Sequence, residues 1–164
     1  MSARASRILL LAAVALFFTL VALGNVTDYG SNFAFVQHVL AMDTTFRSPA
    51  LMWRAIEAPA LHHAAYALII AWQIMTAALC WWGVWRLWRV RGFEGEIFER
   101  EKRAGIAGLT AGFLLYAAGF IGVGGEWFAM WQSQTWNGQR SAAIFLTFIG
   151  IALLHLCAAE RERA

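Results

Sequence analysis

The stretch "AAYALIIAWQIMTAALCWWGVW", Ala64 to Trp85, contains no charged residue, and Gln73 and Thr76 are its most polar side chains. A helix needs about 20 such residues to cross the hydrocarbon core of a bilayer. Working outward, three more apolar runs reach or approach that length: Ile8–Leu23, Ile106–Val123 and Ala142–Ala159. Only 14% of the 164 residues are charged and 60% are apolar, whereas a soluble domain carries about a quarter charged residues. Once the four runs are set aside, too little chain remains for a separate soluble core. The expected fold is therefore all-α, a single integral membrane four-helix bundle over residues 1–164. Its spans fall near 8–24, 62–86, 105–124 and 140–159, with outer loops 25–61 and 125–139 and an inner loop 87–104.

A net charge of +3 is compatible with a nucleic-acid partner, but the placement of the charges argues otherwise. Ten of the 13 Lys and Arg residues fall on one side: Arg4 and Arg7; Arg86, Arg89, Arg91, Arg100, Lys102 and Arg103; Arg161 and Arg163. Only Arg47, Arg54 and Arg140 fall on the other. Basic flanks resist translocation, so both termini are expected in the cytoplasm and no nucleic-acid partner is expected. The first run has a basic leader and a passable cleavage site at Ala22-Leu23-Gly24, but it is long for a signal sequence and is read as a retained span. Cys80 and Cys157 are read as lone packing residues in the cytoplasmic halves of their spans.

The first outer loop carries helical signals. In "SNFAFVQHVLAM", Phe33, Val36 and Leu40 form a stripe, with Phe35, Val39 and Met42 beside it, and Ser31 or Asn32 is placed to cap the start. In "RSPALMWRAIE", Ser48 and Pro49 read as an N-cap and first helical position. Two short amphipathic helices lying on the membrane surface are expected. Pro59 can open the second span, which then runs to about Arg89, where Trp81, Trp82, Trp85 and Trp88 sit at headgroup level. The third span carries Gly108-x-x-x-Gly112, a spacing that lets helices approach closely within the bundle or against a partner.

The spans are almost free of ionisable groups, which argues against an ion path or proton relay. Gln73 is the exception to explain, and an interhelical hydrogen bond is its expected role. The outer side holds a candidate polar cluster: Asp28, His38, Asp43, Arg54, Glu57, His62, Glu126 and Arg140. Capping helices and pairing charges is the plainer role for these residues. Glu126 and Arg140 lie at the ends of consecutive helices and are expected to pair, with Arg54 a further candidate partner of Glu126, and to fasten the lid formed by Ser31–Glu57. A metal or haem site at His38, His62 or His63 is weighed and set aside, because adjacent histidines on a helix diverge by about 100°. No cofactor is expected. The sequon Asn25-Val26-Thr27 reads as a cap where the chain leaves the membrane. No phosphate loop, nucleophile elbow or dinucleotide fingerprint occurs.

Together, "NVTDYGSNFAFVQHVLAMDTTF", "WRAI" and "GGEWFAMWQSQTWNGQ" resemble a bacterial family called predicted small integral membrane proteins. The resemblance covers nearly the whole chain and implies four spans in a bacterial inner membrane. It brings no activity, so no catalytic residue is carried over from it. In the last of these stretches Trp127 and Trp131 are four apart and would share a helix face, Gly124-Gly125 would end or kink the third helix, and the accompanying glutamines would form a polar lid with the first loop. Two functional classes stay open: a non-catalytic accessory or assembly subunit, joined to other membrane subunits or to itself, and a ligand-binding, sensory or enzymatic protein using the outer cluster.

Overall fold

The computed structural model describes residues 2–159. Arg161 and Arg163 lie outside them. All regular structure among the described residues is helical. Helix α1 (Ala3–Thr27) is followed by α2 (Tyr29–Ala41), α3 (Pro59–Arg89), the short α4 (Gly95–Glu101), α5 (Arg103–Leu114) and α6 (Gln139–Cys157). Helix α5 continues without a break as a π-helix, Leu115–Trp127. Four of these helical segments are long and apolar enough to cross a membrane.

Helix α1 starts where Ser2 accepts a hydrogen bond from the Ala5 amide. It buries Leu11, Ala15, Phe18, Ala22 and Asn25, a stripe at spacings of three and four. The helix runs on through the sequon, where Thr27 Oγ1 donates to the Leu23 carbonyl at 2.8 Å. Asn25 is thus not a cap. Its Nδ2 donates to Gln73 Oε1 at 2.7 Å inside the α1–α3 contact, and Tyr66 donates to the Asn25 carbonyl at 3.3 Å. Gln73 makes the expected interhelical bond. Replacing Gln73 with Leu strands a buried donor on Asn25, whereas the double change Asn25→Leu with Gln73→Leu strands none. A double-mutant cycle in detergent should show a coupling of about 0.6–1.7 kcal/mol. Additive single effects would mean that the bond contributes nothing.

The glycines of the third span are used inside the bundle. A Cβ on Gly108 would meet Cys80 Sγ at 2.6 Å, and one on Gly112 would meet Phe18 at 2.7 Å. At Gly83, which belongs to no small-residue spacing motif, α3 crosses α5 so closely that a Cβ would lie 2.6 Å from the Gly105 backbone. The large exposed side chains, such as Leu16, Leu20, Leu68 and Leu154, face outward where an aqueous protein would carry charge. Cys80 is buried and free, as expected of a packing residue, but Cys157 is exposed.

The bundle has two unlike ends. At the termini end, Arg4 donates to the carbonyls of Arg91 and Phe93, and Arg7 to those of His155, Ala158 and Ala159. Ser6 and His155 share a hydrogen bond there at 3.0 Å. The opposite end, called the lid here, is built from residues 28–58 and 128–138. Helix α2 buries Val36 and Val39, and Val36 packs with Tyr66 and Ile70 of α3. Val39 and Met42 form a second small core with Phe128, Ala129 and Met130.

Two expectations for the lid are corrected. Helix α2 begins at Tyr29, ahead of Ser31 and Asn32, and Asp28 at its N-cap makes no side-chain capping bond. The Ser48-Pro49 start opens only a turn and a three-residue 3₁₀ segment, Met52–Arg54. The Ile56 amide donates to the Leu40 carbonyl at 2.8 Å, and Pro59 holds Ala58 extended at φ −72°, ψ 116°. The chain is therefore pulled straight before α3, and no second surface helix has room to form. Pro59 does open α3 as expected.

Candidate functional site

The eight residues of the candidate cluster all belong to the lid end but do not converge. His38 on α2 is half-buried; its Nδ1–H donates to Asp43 Oδ2 at 2.7 Å, just past the helix end. Its ring stacks on Trp136, with centroids 4.7 Å apart and planes 14° from parallel. His62, in the first turn of α3, is 2% exposed. Its Nε2–H donates to the Ile56 carbonyl at 2.7 Å, and its Nδ1 has no partner. His63 shares a hydrogen bond with the Tyr29 hydroxyl at 2.9 Å and stacks on Phe33 at 4.1 Å. The three histidines thus serve three separate contacts. Among the described residues, no group of three or more His, Cys, Asp or Glu side chains is placed to hold a metal ion.

Asp28, Glu57, Glu126 and Arg140 are exposed. No ion pair joins Glu126 to Arg140, which corrects the expectation drawn from their adjacency. The reason is local. The helix does not end or kink at Gly124-Gly125; it continues in π form through Trp127, and Phe128 donates back to Val123. At Gly125 the space beside the backbone is taken by the side-chain amide of Gln139, where a Cβ would collide.

Arg54 binds elsewhere than expected. Its guanidinium lies over the rings of Trp127 and Trp53, at 4.7 and 5.4 Å, and donates to the Trp127 carbonyl at 3.3 Å. A cation over an indole face is attracted by the ring quadrupole, so the arginine and both rings are held together. Trp127 and Trp131 do not share a helix face, because Ala129 between them turns the backbone left-handed at φ 51°. Each instead meets an aromatic side chain of the first loop edge to face: Trp127 with Trp53 at 5.6 Å and Trp131 with Phe46 at 5.9 Å. The four rings form two exposed pairs on the lid, Phe46 with Trp131 and Trp53 with Trp127.

A polar seam joins the two loops as expected for a shared lid. Thr44 donates to the buried Ser133 hydroxyl at 2.8 Å, and Ser133 also accepts from the Trp136 amide at 2.9 Å. The Phe46 amide donates to Gln132 Oε1 at 2.9 Å. Ser133 and Trp136 organise the lid more than most of the charged candidates do. Their spacing of three, with Ser133 accepting from an amide three residues on, was the available signal.

A family described as "predicted small integral membrane protein (DUF2165)" matches residues 3–159. No curated protein matches. No solved structure matches.

Proposed function

The chain belongs to the family of predicted small integral membrane proteins, and from that premise we propose that it is a non-catalytic accessory or assembly subunit of a larger membrane complex. Its proposed setting is a bacterial inner membrane, with both termini and the α3–α4 turn in the cytoplasm and the lid outside. The orientation rests on the ten-to-three division of basic residues between the two ends.

The observation that carries the reading is the two exposed ring pairs, Phe46 with Trp131 and Trp53 with Trp127, the second held by Arg54 over both of its rings. Trp and Arg dominate the energetics of protein interfaces, most of all when they are rigid before binding. Trp53 is 69% exposed and Phe46 71%, yet each is held by a second ring. The proposed partner is another membrane-spanning protein that meets these rings at the outer boundary.

A photoactivatable residue in place of Trp53 should yield one discrete protein adduct in native membranes, and the same residue in place of Leu154 should yield lipid adducts only. Lipid adducts alone at both positions would refute the reading. In a variant lacking Cys80 and Cys157, a membrane-impermeant thiol reagent should reach Trp53→Cys in intact spheroplasts and miss Gly92→Cys. The reverse pattern would invert the orientation.

A second reading, a small-ligand or sensory site in the lid, is favoured by the His38–Asp43 pair stacked on Trp136. His38→Gln separates the two: under the accessory reading it leaves the Trp53 adduct in place.

A further inference from the structure

A groove of about 500 Å³ lies between α2, α3 and the π-helix. Leu68 and Trp72 of α3 form one wall, and Leu115 and Gly119 of the π-helix form the other. Val36 of α2 and Phe128 close it at the lid end. No side chain in the lining offers a free polar atom, because the one Trp72 nitrogen already donates to the Ala111 carbonyl at 2.9 Å. The rim residues Leu68, Leu114 and Val123 are exposed and belong to membrane-spanning segments. The medium that meets the groove is therefore hydrocarbon rather than water.

We propose that this groove is a binding site for one hydrocarbon chain of a membrane lipid, taken in from the surrounding bilayer. An apolar cavity does not hold water. Left empty, it forfeits dispersion contacts along its whole lining. Its volume lies within the range of small-molecule pockets, about 300–1,000 Å³. The site is built by the π-helix, and such segments recur at functional positions. Two glycines there keep the groove open. A Cβ on Gly119 would meet nothing nearer than Leu115 Cδ1 at 3.8 Å, and one on Gly124 nothing nearer than 3.6 Å. The site is independent of any protein partner and extends beyond the accessory role.

The test uses the full chain, purified alone and placed in nanodiscs containing a phospholipid with a photoactivatable group near the end of one acyl chain. Labelling should concentrate on peptides of α3 and the π-helix that line the groove. Gly119→Leu fills the groove from a position with room for the side chain. It should cut that labelling at least about tenfold, because each displaced methylene loses its burial. Leu68→Trp, at the exposed rim, provides a second block if the first variant folds poorly. Ile151→Phe, on the exposed face of α6, should leave the labelling unchanged. A parallel arm with a photoactivatable polyprenyl chain decides between acyl and isoprenoid occupants by which probe an unlabelled excess of the other fails to displace. Labelling spread evenly over all outward faces, or equal labelling in Gly119→Leu and Ile151→Phe, would overturn the proposal.

Discussion

Gly83→Ala should be among the most damaging single-methyl changes in this protein, although alanine is the better helix former. The added Cβ would lie 2.6 Å from both the Gly105 Cα and its amide nitrogen and 3.1 Å from Leu11 Cδ2. Two of those atoms are backbone, so no side-chain rotation relieves the clash and α3 and α5 must move apart. Overpacking a core costs about 1–3 kcal/mol, and more where backbones must shift. The same change at Gly24 meets nothing within 4 Å and should stabilise by up to about 1 kcal/mol through helix propensity. Thermal unfolding in detergent should therefore lower the midpoint for Gly83→Ala and hold or raise it for Gly24→Ala. Equal midpoints would mean that the α3–α5 crossing is not as close as described.

Arg7→Met is the second large effect. Arg7 is 5% exposed and caps the end of α6, donating to the carbonyls of His155 at 3.2 Å, Ala158 at 2.8 Å and Ala159 at 3.2 Å. Lys102 reaches the same Ala158 carbonyl at 2.9 Å while binding Glu99 at 2.6 Å. The last carbonyls of a helix lack partners of their own and carry the negative end of its dipole, so two cations converging there complete it. Methionine keeps an unbranched, flexible stem and removes every donor. The expected loss is on the order of 2–4 kcal/mol, from charged hydrogen bonds given up at a buried end. Hydrogen exchange should accelerate across the last turn of α6, with α2 unaffected, and Arg7→Lys should recover part of the protection. Unchanged exchange in Arg7→Met would show that Lys102 alone suffices.

Much of the fold was legible because hydrocarbon length and charge exclusion act on composition, which needs no partner information. The four apolar runs, the Pro59 start and the Gln73 bond all followed from it. Inside a bilayer, however, hydrophobicity no longer reports burial. Leu154 is 74% exposed and Leu156 is 1% exposed, and nothing in their chemistry separates them. For the same reason Gly108 and Gly112 announced a close approach without saying to what, and Gly83 announced nothing.

The lid was legible as a lid but not in its pairings. Trp127 and Trp131 were four apart, yet one residue at positive φ, Ala129, sends each to a different loop partner. Glu126 and Arg140 were near in sequence, but π-helical continuation past Gly125 and the pull of two indole rings on Arg54 decided the contacts instead. Both are tertiary effects with no local signature. The Asn25 error has a similar cause: a polar residue beside a loop looks like a cap until a buried amide across the bundle proves to be its partner.

The accessory role is tested most directly by native mass spectrometry of the chain, extracted at its natural abundance in a mild detergent. A defined complex is expected, in which this chain stands in fixed ratio to another membrane-spanning protein, and which falls apart when Trp53 and Arg54 are both replaced by alanine. A chain recovered alone, carrying at most bound lipid in every mild detergent tried, would contradict it.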